Sequence, residues 1–167
     1  LGYKKGVGLG GILILAVYIS VANGQYNSGL DVVAKGGFSN LKGKNVGVVV
    51  NHTSVDQHGK HLIQLAYDNG IQIKAVFTPE HGFTGVAGAG EKVEDGIESL
   101  TGASIYSLYG KNNKPSPQML QGLDVVVFDM QDIGVRYYTY ISTLTYILEA
   151  AAENEVPIWI LDRINPL

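Results

Sequence analysis

The chain has 167 residues, 46% of them apolar and 16% charged, which suits one globular domain with a sizeable core and excludes a disordered chain. A formal net charge of −3, with no stripe of Lys and Arg, offers no surface for nucleic acid. The absence of cysteine removes disulfides, Cys-based zinc sites and a thiol nucleophile together.

In chain order, the first segment reads as an address. Lys4 and Lys5 precede an apolar run over residues 7–21, and Ser20 and Ala22 supply small residues for cleavage after Ala22. The run is short for a membrane span of about 20 residues. Residues 1–22 are therefore predicted to be a cleavable signal peptide, with an uncleaved anchor as the alternative, and residues 23–167 an exported periplasmic or extracellular domain. Gly6, Gly8 and Gly11 satisfy G-x-G-x-x-G, but no strand precedes them, so no dinucleotide cofactor follows. The chain opens at Leu1 and stops at Leu167, just after a strand and a polar cluster, which predicts the N-terminal part of something longer.

Beyond the leader, residues 29–37 predict a short helix closed by glycine, with Leu30, Val33 and Ala34 on one face. The run NVGVVVN over 45–51 predicts a buried parallel strand. Residues 60–69 predict a helix stopped by Gly70, and 73–78 a second strand, together a right-handed βαβ unit. After a glycine-rich loop come a short strand at 105–108, a short helix at 117–122 and the strong strand VVVFD at 125–129. Residues 140–154 predict the clearest helix, with Ile141, Leu144, Leu148 and Ala151 as its apolar stripe, and 157–162 a last strand. Alternating strands and helices predict an α/β fold, a Rossmann-like, doubly wound, mainly parallel sheet.

In such sheets ligands bind beyond the carboxyl ends of the strands, and polar residues gather there. The predicted strand ends carry Asn51 and Thr53; Glu80 and His81; Asp129, Gln131, Asp132 and, just beyond, Arg136; and Asp162, Arg163 and Asn165. Glu80 is the first candidate for general-acid work, since a carboxyl beside a strand end and screened by a loop can be held protonated. Asp129, Asp132 and Asp162 offer second carboxylates, although Asp162 with Arg163 reads better as a buried ion pair shaping the loop. Gln131 and Asn51 can both donate and accept, which suits sugar hydroxyls and acetamido groups. Tyr106, Tyr109, Tyr137, Tyr138 and Tyr140 form a tyrosine-rich set near the same rim, as apt for packing as for sugar contact. His52, Asp56, His58 and His61 have no standard ligand spacing and read as a solvated loop. The glycine-rich stretch 85–92 has the makings of an anion cradle but lacks Walker spacing.

The stretches VVVNHT (48–53), PEHG (79–82), GAGEKV (88–93), YSLYG (106–110), FDMQDIGVRYYTY (128–140) and DRINP (162–166) occur in that order. Together they resemble the family catalogued as DUF1343, whose members are described as exo-β-N-acetylmuramidases that remove N-acetylmuramic acid from the non-reducing ends of peptidoglycan fragments. The resemblance implies a Rossmann-like catalytic domain followed by an auxiliary domain that this chain lacks. It implies that Glu80, in P-E-H-G, is the catalytic residue and that Asp129, Gln131, Asp132, Gly134 and Arg136 line the cleft. The expected partner is a muramyl saccharide, with no metal or organic cofactor. Arg136 is the candidate for the lactyl carboxylate. A non-catalytic wall-binding module and a metal-dependent hydrolase using His81, Asp129 and Asp132 are the alternatives.

Overall fold

A computed structural model describes residues 26–80, 82, 96–110 and 112–166. The predicted leader, His81 and the stretch 83–95, including the glycine-rich loop, lie outside the described residues. No helix among the described residues is long and apolar enough to cross a membrane.

Six strands, β1 (Asn45–Val50), β2 (Gln72–Thr78), β3 (Gly96–Ile97), β4 (Ser104–Ser107), β5 (Val125–Asp129) and β6 (Ile158–Ile160), form one sheet in the order β3-β4-β2-β1-β5-β6. All pairings are parallel except β3 with β4. The two-residue β3 is an antiparallel addition at the edge, too short to leave a period in the sequence.

Residues of β1 after Asn45, and all of β5, are buried, because helices cover both faces. On one face, α1 (Gly29–Lys35) and α2 (Leu62–Asp68) set Leu30, Leu62, Ile63 and Ala66 against Val46, Val48, Val50 and Val76. On the other, α3 (Pro117–Leu120) and α4 (Tyr140–Glu153) set Leu120, Tyr140, Ile147 and Ala150 against Val49, Phe77, Val126 and Phe128. This is the doubly wound α/β arrangement predicted from the alternation of elements.

Of the stripe expected along α4, Ala151 is buried and Leu144 packs against the core, whereas Ile141 and Leu148 do not face it. Tyr140, Thr143, Ile147, Ala150 and Ala151 are buried, whereas Ile141 is 60% and Leu148 39% exposed. The helix is apolar around most of its circumference, so two neighbouring stripes both satisfy the three-and-four spacing, and packing on the sheet selects between them.

The start of α1 is locked twice. Ser28 Oγ accepts from the Asp31 N–H (3.2 Å) while Asp31 Oδ2 accepts from the Ser28 N–H (2.8 Å), a capping box. The Gly29 N–H then donates to the Asp162 carbonyl at 2.7 Å, tying the helix to the chain leaving β6. A Cβ on Gly29 would sit 2.6 Å from Asp162 N and Leu161 Cα, so only glycine permits this approach. Gly29→Ala is expected to cost about 1–3 kcal/mol, as overpacking does, read as a lowered urea midpoint with unchanged m. An unchanged midpoint would show that α1 docks without this contact.

Candidate active site

The sheet order places the site. From β1 the chain steps to β2 and outward to β4 and β3, then returns to β5 on the other side of β1. The order therefore reverses between β1 and β5, and in open parallel sheets the ligand crevice lies outside the carboxyl ends at such a point. Asn51 follows β1 and Asp129 ends β5, one on each side of it.

The two loops are stitched together across the crevice. The Gln131 N–H donates to Thr53 Oγ1 (3.0 Å), and that hydroxyl donates to Asn51 Oδ1 (2.6 Å). Ser54 takes the Asn51 N–H on its Oγ (3.1 Å) and donates its hydroxyl to the Asp129 carbonyl. Gln131 Nε2 donates to the carbonyls of Asp132 and Ile164, both at 2.8 Å, so this amide ties the β5 loop to the β6 loop. Asp132 Oδ1 accepts from the Gly134 N–H at 2.7 Å and turns the chain there. A Cβ on Gly134 would meet the Asn165 amide at 2.7 Å, so Asn165 packs directly on that turn.

Asp129 is fully buried, and its carboxylate receives Arg163 through both oxygens, Nε at 2.6 Å and Nη2 at 2.9 Å. Nη2 also donates to the Val55 carbonyl at 3.0 Å. Burial pushes the Asp129 carboxyl above its ordinary range, and the hydrogen bonds and charge of Arg163 oppose that rise. A carboxylate engaged this way holds a loop and has no oxygen turned to a substrate. The ion pair expected between Asp162 and Arg163 is thus formed by Asp129 instead. Asp162 is exposed and acts through its main chain, with its carbonyl accepting from Gly29 N–H and, at 3.4 Å, from the Tyr26 hydroxyl.

Glu80 stands just past β2, partly buried. The Tyr109 hydroxyl donates to its carboxylate, which raises the pKa of that phenol. Tyr140 at the head of α4 is also raised, first by burial, then by Tyr138; a hydrogen bond with the Asn51 side chain opposes the rise, and the negative charges of Glu80 and Asp132 add to it. Tyr138 packs edge-on against both Tyr137 (5.7 Å) and Tyr140 (5.6 Å). Glu80, Asp132, Tyr138, Tyr140 and Asn51 therefore converge at one rim. Arg136 is exposed on the turn before α4.

Tyr109 and Tyr140 were visible in sequence only as members of a tyrosine-rich set. No local signal gave them their places beside Glu80, since these depend on how β2, β4 and α4 meet. His61 was read as part of a solvated loop and is instead built into the fold. Its Nε2 bonds the Asn51 carbonyl (2.9 Å) and its Nδ1 accepts from the Ile63 N–H (3.2 Å), capping α2. Asp56 organises that loop by accepting from the N–H groups of His58 (2.9 Å) and Lys60 (2.7 Å).

Both ring nitrogens of His61 work only in the neutral ring, and burial lowers its pKa from the ordinary 6.5. A native pKa below the unfolded one means the unfolded chain binds the proton first. The contribution of His61 is thus complete above pH 6.5 and is lost as pH falls towards the lowered value. His61→Ala is expected to cost about 1–2 kcal/mol at pH 7.5. Urea unfolding should show the gap to the native protein narrowing by pH 5; a gap independent of pH would refute the neutral-ring assignment.

Away from this rim, a groove of about 390 Å³ runs past Pro117, Gln121, Leu123 and Glu155 at the amino ends of β5 and β6. It lies at the wrong edge of the sheet for the chemistry gathered around Glu80.

Residues 46–167 match the family described as exo-beta-N-acetylmuramidase NamZ, N-terminal. The chain belongs to this family. It is 44% identical over 143 residues to the peptidoglycan beta-N-acetylmuramidase NamZ of Bacillus subtilis (strain 168), covering 85% of this chain and 34% of that protein. Crystal structures of two DUF1343 family proteins of Bacteroides fragilis NCTC 9343 superpose with TM-scores of 0.75 and 0.68, at 42% and 36% identity. Each covers 84% of this chain and 35% of the other. The chain thus spans about a third of the length of these relatives.

Proposed function

We propose that this chain carries the acid–base half of a glycoside hydrolase that releases N-acetylmuramic acid from the non-reducing ends of peptidoglycan fragments during cell-wall turnover. The observation that carries it is the setting of Glu80: at the carboxyl edge of the sheet, partly buried, hydrogen-bonded by Tyr109 and close enough to Tyr140 to raise that phenol. Membership of the NamZ family and 44% identity to a peptidoglycan beta-N-acetylmuramidase support this substrate class.

In this reading the Glu80 carboxyl donates its proton to the glycosidic oxygen as the bond from that oxygen to C1 breaks, and the leaving sugar departs as a neutral alcohol. Asp132, a rim aspartate that is not locked to an arginine, supports the positive charge that develops at C1, and a water then adds to C1 as it gives up a proton. Asp129 is reassigned to positioning, since it holds Arg163 and through it the loop at Val55. Arg136, exposed beside the tyrosines, stays the candidate for the lactyl carboxylate. Export through the N-terminal segment would bring the protein to this substrate. The test is release of N-acetylmuramic acid from a chromogenic muramide, with Glu80→Gln in parallel. A folded protein that binds muramyl saccharides without any turnover would make it a wall-binding module.

A further inference from the structure

Glu80 stands where its strand has just let go of the sheet. Pro79 has no N–H to add to the ladder with β4. Beyond it the chain turns: the Gly82 N–H donates to the Pro79 carbonyl at 3.1 Å, with Gly82 at φ +70°. Glu80 therefore sits at the corner of a tight turn rather than on a paired strand, and its carboxyl needs a side-chain tie to keep one direction.

The neighbouring strand supplies one. Parallel pairing sets Ala75 of β2 opposite Ser104 of β4, and Thr78 opposite Ser107. The Leu108 N–H on the Thr78 carbonyl (2.8 Å) carries that pairing one step past the strand, and Phe77 stacked on Tyr106, centroids 5.6 Å apart, stiffens the same end. Continuing this register brings Tyr109 opposite Glu80, and its hydroxyl bonds the Glu80 carboxylate. The same bond raises the pKa of the phenol, so Tyr109 keeps its hydrogen and stays a donor. A hydroxyl has one hydrogen to give. In the neutral carboxyl, the oxygen that accepts it is the carbonyl oxygen, and the acid proton rides on the other. We infer that Tyr109 is the positioning residue of the acid, holding the Glu80 carboxyl at the turn and directing its proton onto the oxygen away from the phenol. The inference rests on the glycosidase reading and adds to it a second residue on which proton delivery depends. Tyr140 does not share the role: its hydrogen bond is with the Asn51 side chain, and Glu80 acts on it through charge.

The experiment measures kcat and KM on a muramyl disaccharide and on a nitrophenyl muramide, in the native protein, Tyr109→Phe, Glu80→Gln and the double variant. Tyr109→Phe keeps the ring and removes only the hydroxyl. It is expected to lower kcat on the disaccharide about 10–10²-fold, as misplacing a catalytic group does, with KM little changed. The loss should be smaller on the nitrophenyl substrate and absent in the Glu80→Gln background, where there is no acid proton to place. A ring-fluorinated tyrosine inserted at Tyr109 gives a readout free of activity. Followed by fluorine NMR, its phenol should titrate at lower pH in Glu80→Gln, because the carboxylate that raises it is gone. An identical titration in both proteins overturns the inference, and does so even if Tyr109→Phe fails to fold. Equal losses on both leaving groups, or losses that multiply in the double variant, overturn it as well and leave Tyr109 a structural part of its loop. Turnover that collapses in Glu80→Gln but persists in full in Tyr109→Phe overturns the inference alone. A native protein with no turnover overturns the glycosidase reading and the inference with it.

Discussion

Glu80→Gln is expected to lower turnover of a muramyl disaccharide by about 10²–10⁴-fold, the range associated with losing a general acid, while binding changes little. The glutamine amide keeps the size of the carboxyl and can still accept from Tyr109, so the local structure has no reason to move. What disappears is the proton for the leaving oxygen. The loss should therefore depend on the leaving group: large for a sugar alcohol, which departs poorly as an alkoxide, and smaller for a nitrophenolate, which needs little protonation. Added EDTA is expected to leave the native rate unchanged. Equal losses on both leaving groups would mean that Glu80 acts other than as the acid, and inhibition by EDTA would bring back the metal-dependent reading. Glu80→Gln with full activity would remove the proposed function altogether.

Arg163→Met is expected to destabilise the fold by about 3–5 kcal/mol, the usual penalty for removing one partner of a buried ion pair. Asp129 would keep a carboxylate with no accessible surface and lose the two bonds, at 2.6 and 2.9 Å, that compensate its burial. Burial already pushes this carboxyl up, and removing Arg163 takes away the main influence that holds it down. A native pKa above the unfolded value makes stability fall as pH rises through it. The deficit of Arg163→Met should thus be smaller in acid than at neutral pH. The double variant Asp129→Leu with Arg163→Met, which removes both charges, should regain much of the lost stability. Urea unfolding at pH 5 and pH 7.5 reads all of this. A loss below 1 kcal/mol in the single variant, or no regain in the double, would show that the pair is not holding these loops.

The same pair shows why neighbours in sequence mislead. Asp162 and Arg163 are adjacent, but consecutive residues of an extended chain point to opposite sides and do not face one another. Parallel pairing of β5 with β6, with Phe128 opposite Ile160, brings Asp129 beside the segment that carries Arg163. The partner 34 residues away is the one the arginine meets. His61 repeats the lesson, for its ring is useful only because the turn after β1 folds back over the start of α2.

Other features were legible at once. The runs NVGVVV and VVVFD are buried central strands because β-branched residues without polar alternation have no solvent face to offer. The start of α4 at Tyr140 followed from its apolar period, and its end from the loss of that period near Asn154. Which side of α4 meets the sheet did not follow, because Ile141 and Leu148 are as apolar as Ile147.

By itself, then, the sequence determined the elements, their alternation and the gathering of polar groups at the strand ends, since these depend on local pattern and on a general rule for parallel sheets. Ordered motifs carried the family as well. Only the tertiary structure decided which polar residues are structural and which remain available. Asp129 and Gln131 are consumed by contacts across the crevice, while Glu80 stands beside Tyr109 at the rim. Hydrogen-bond satisfaction is a property of neighbours in space, and those neighbours come from strands and loops far apart along the chain.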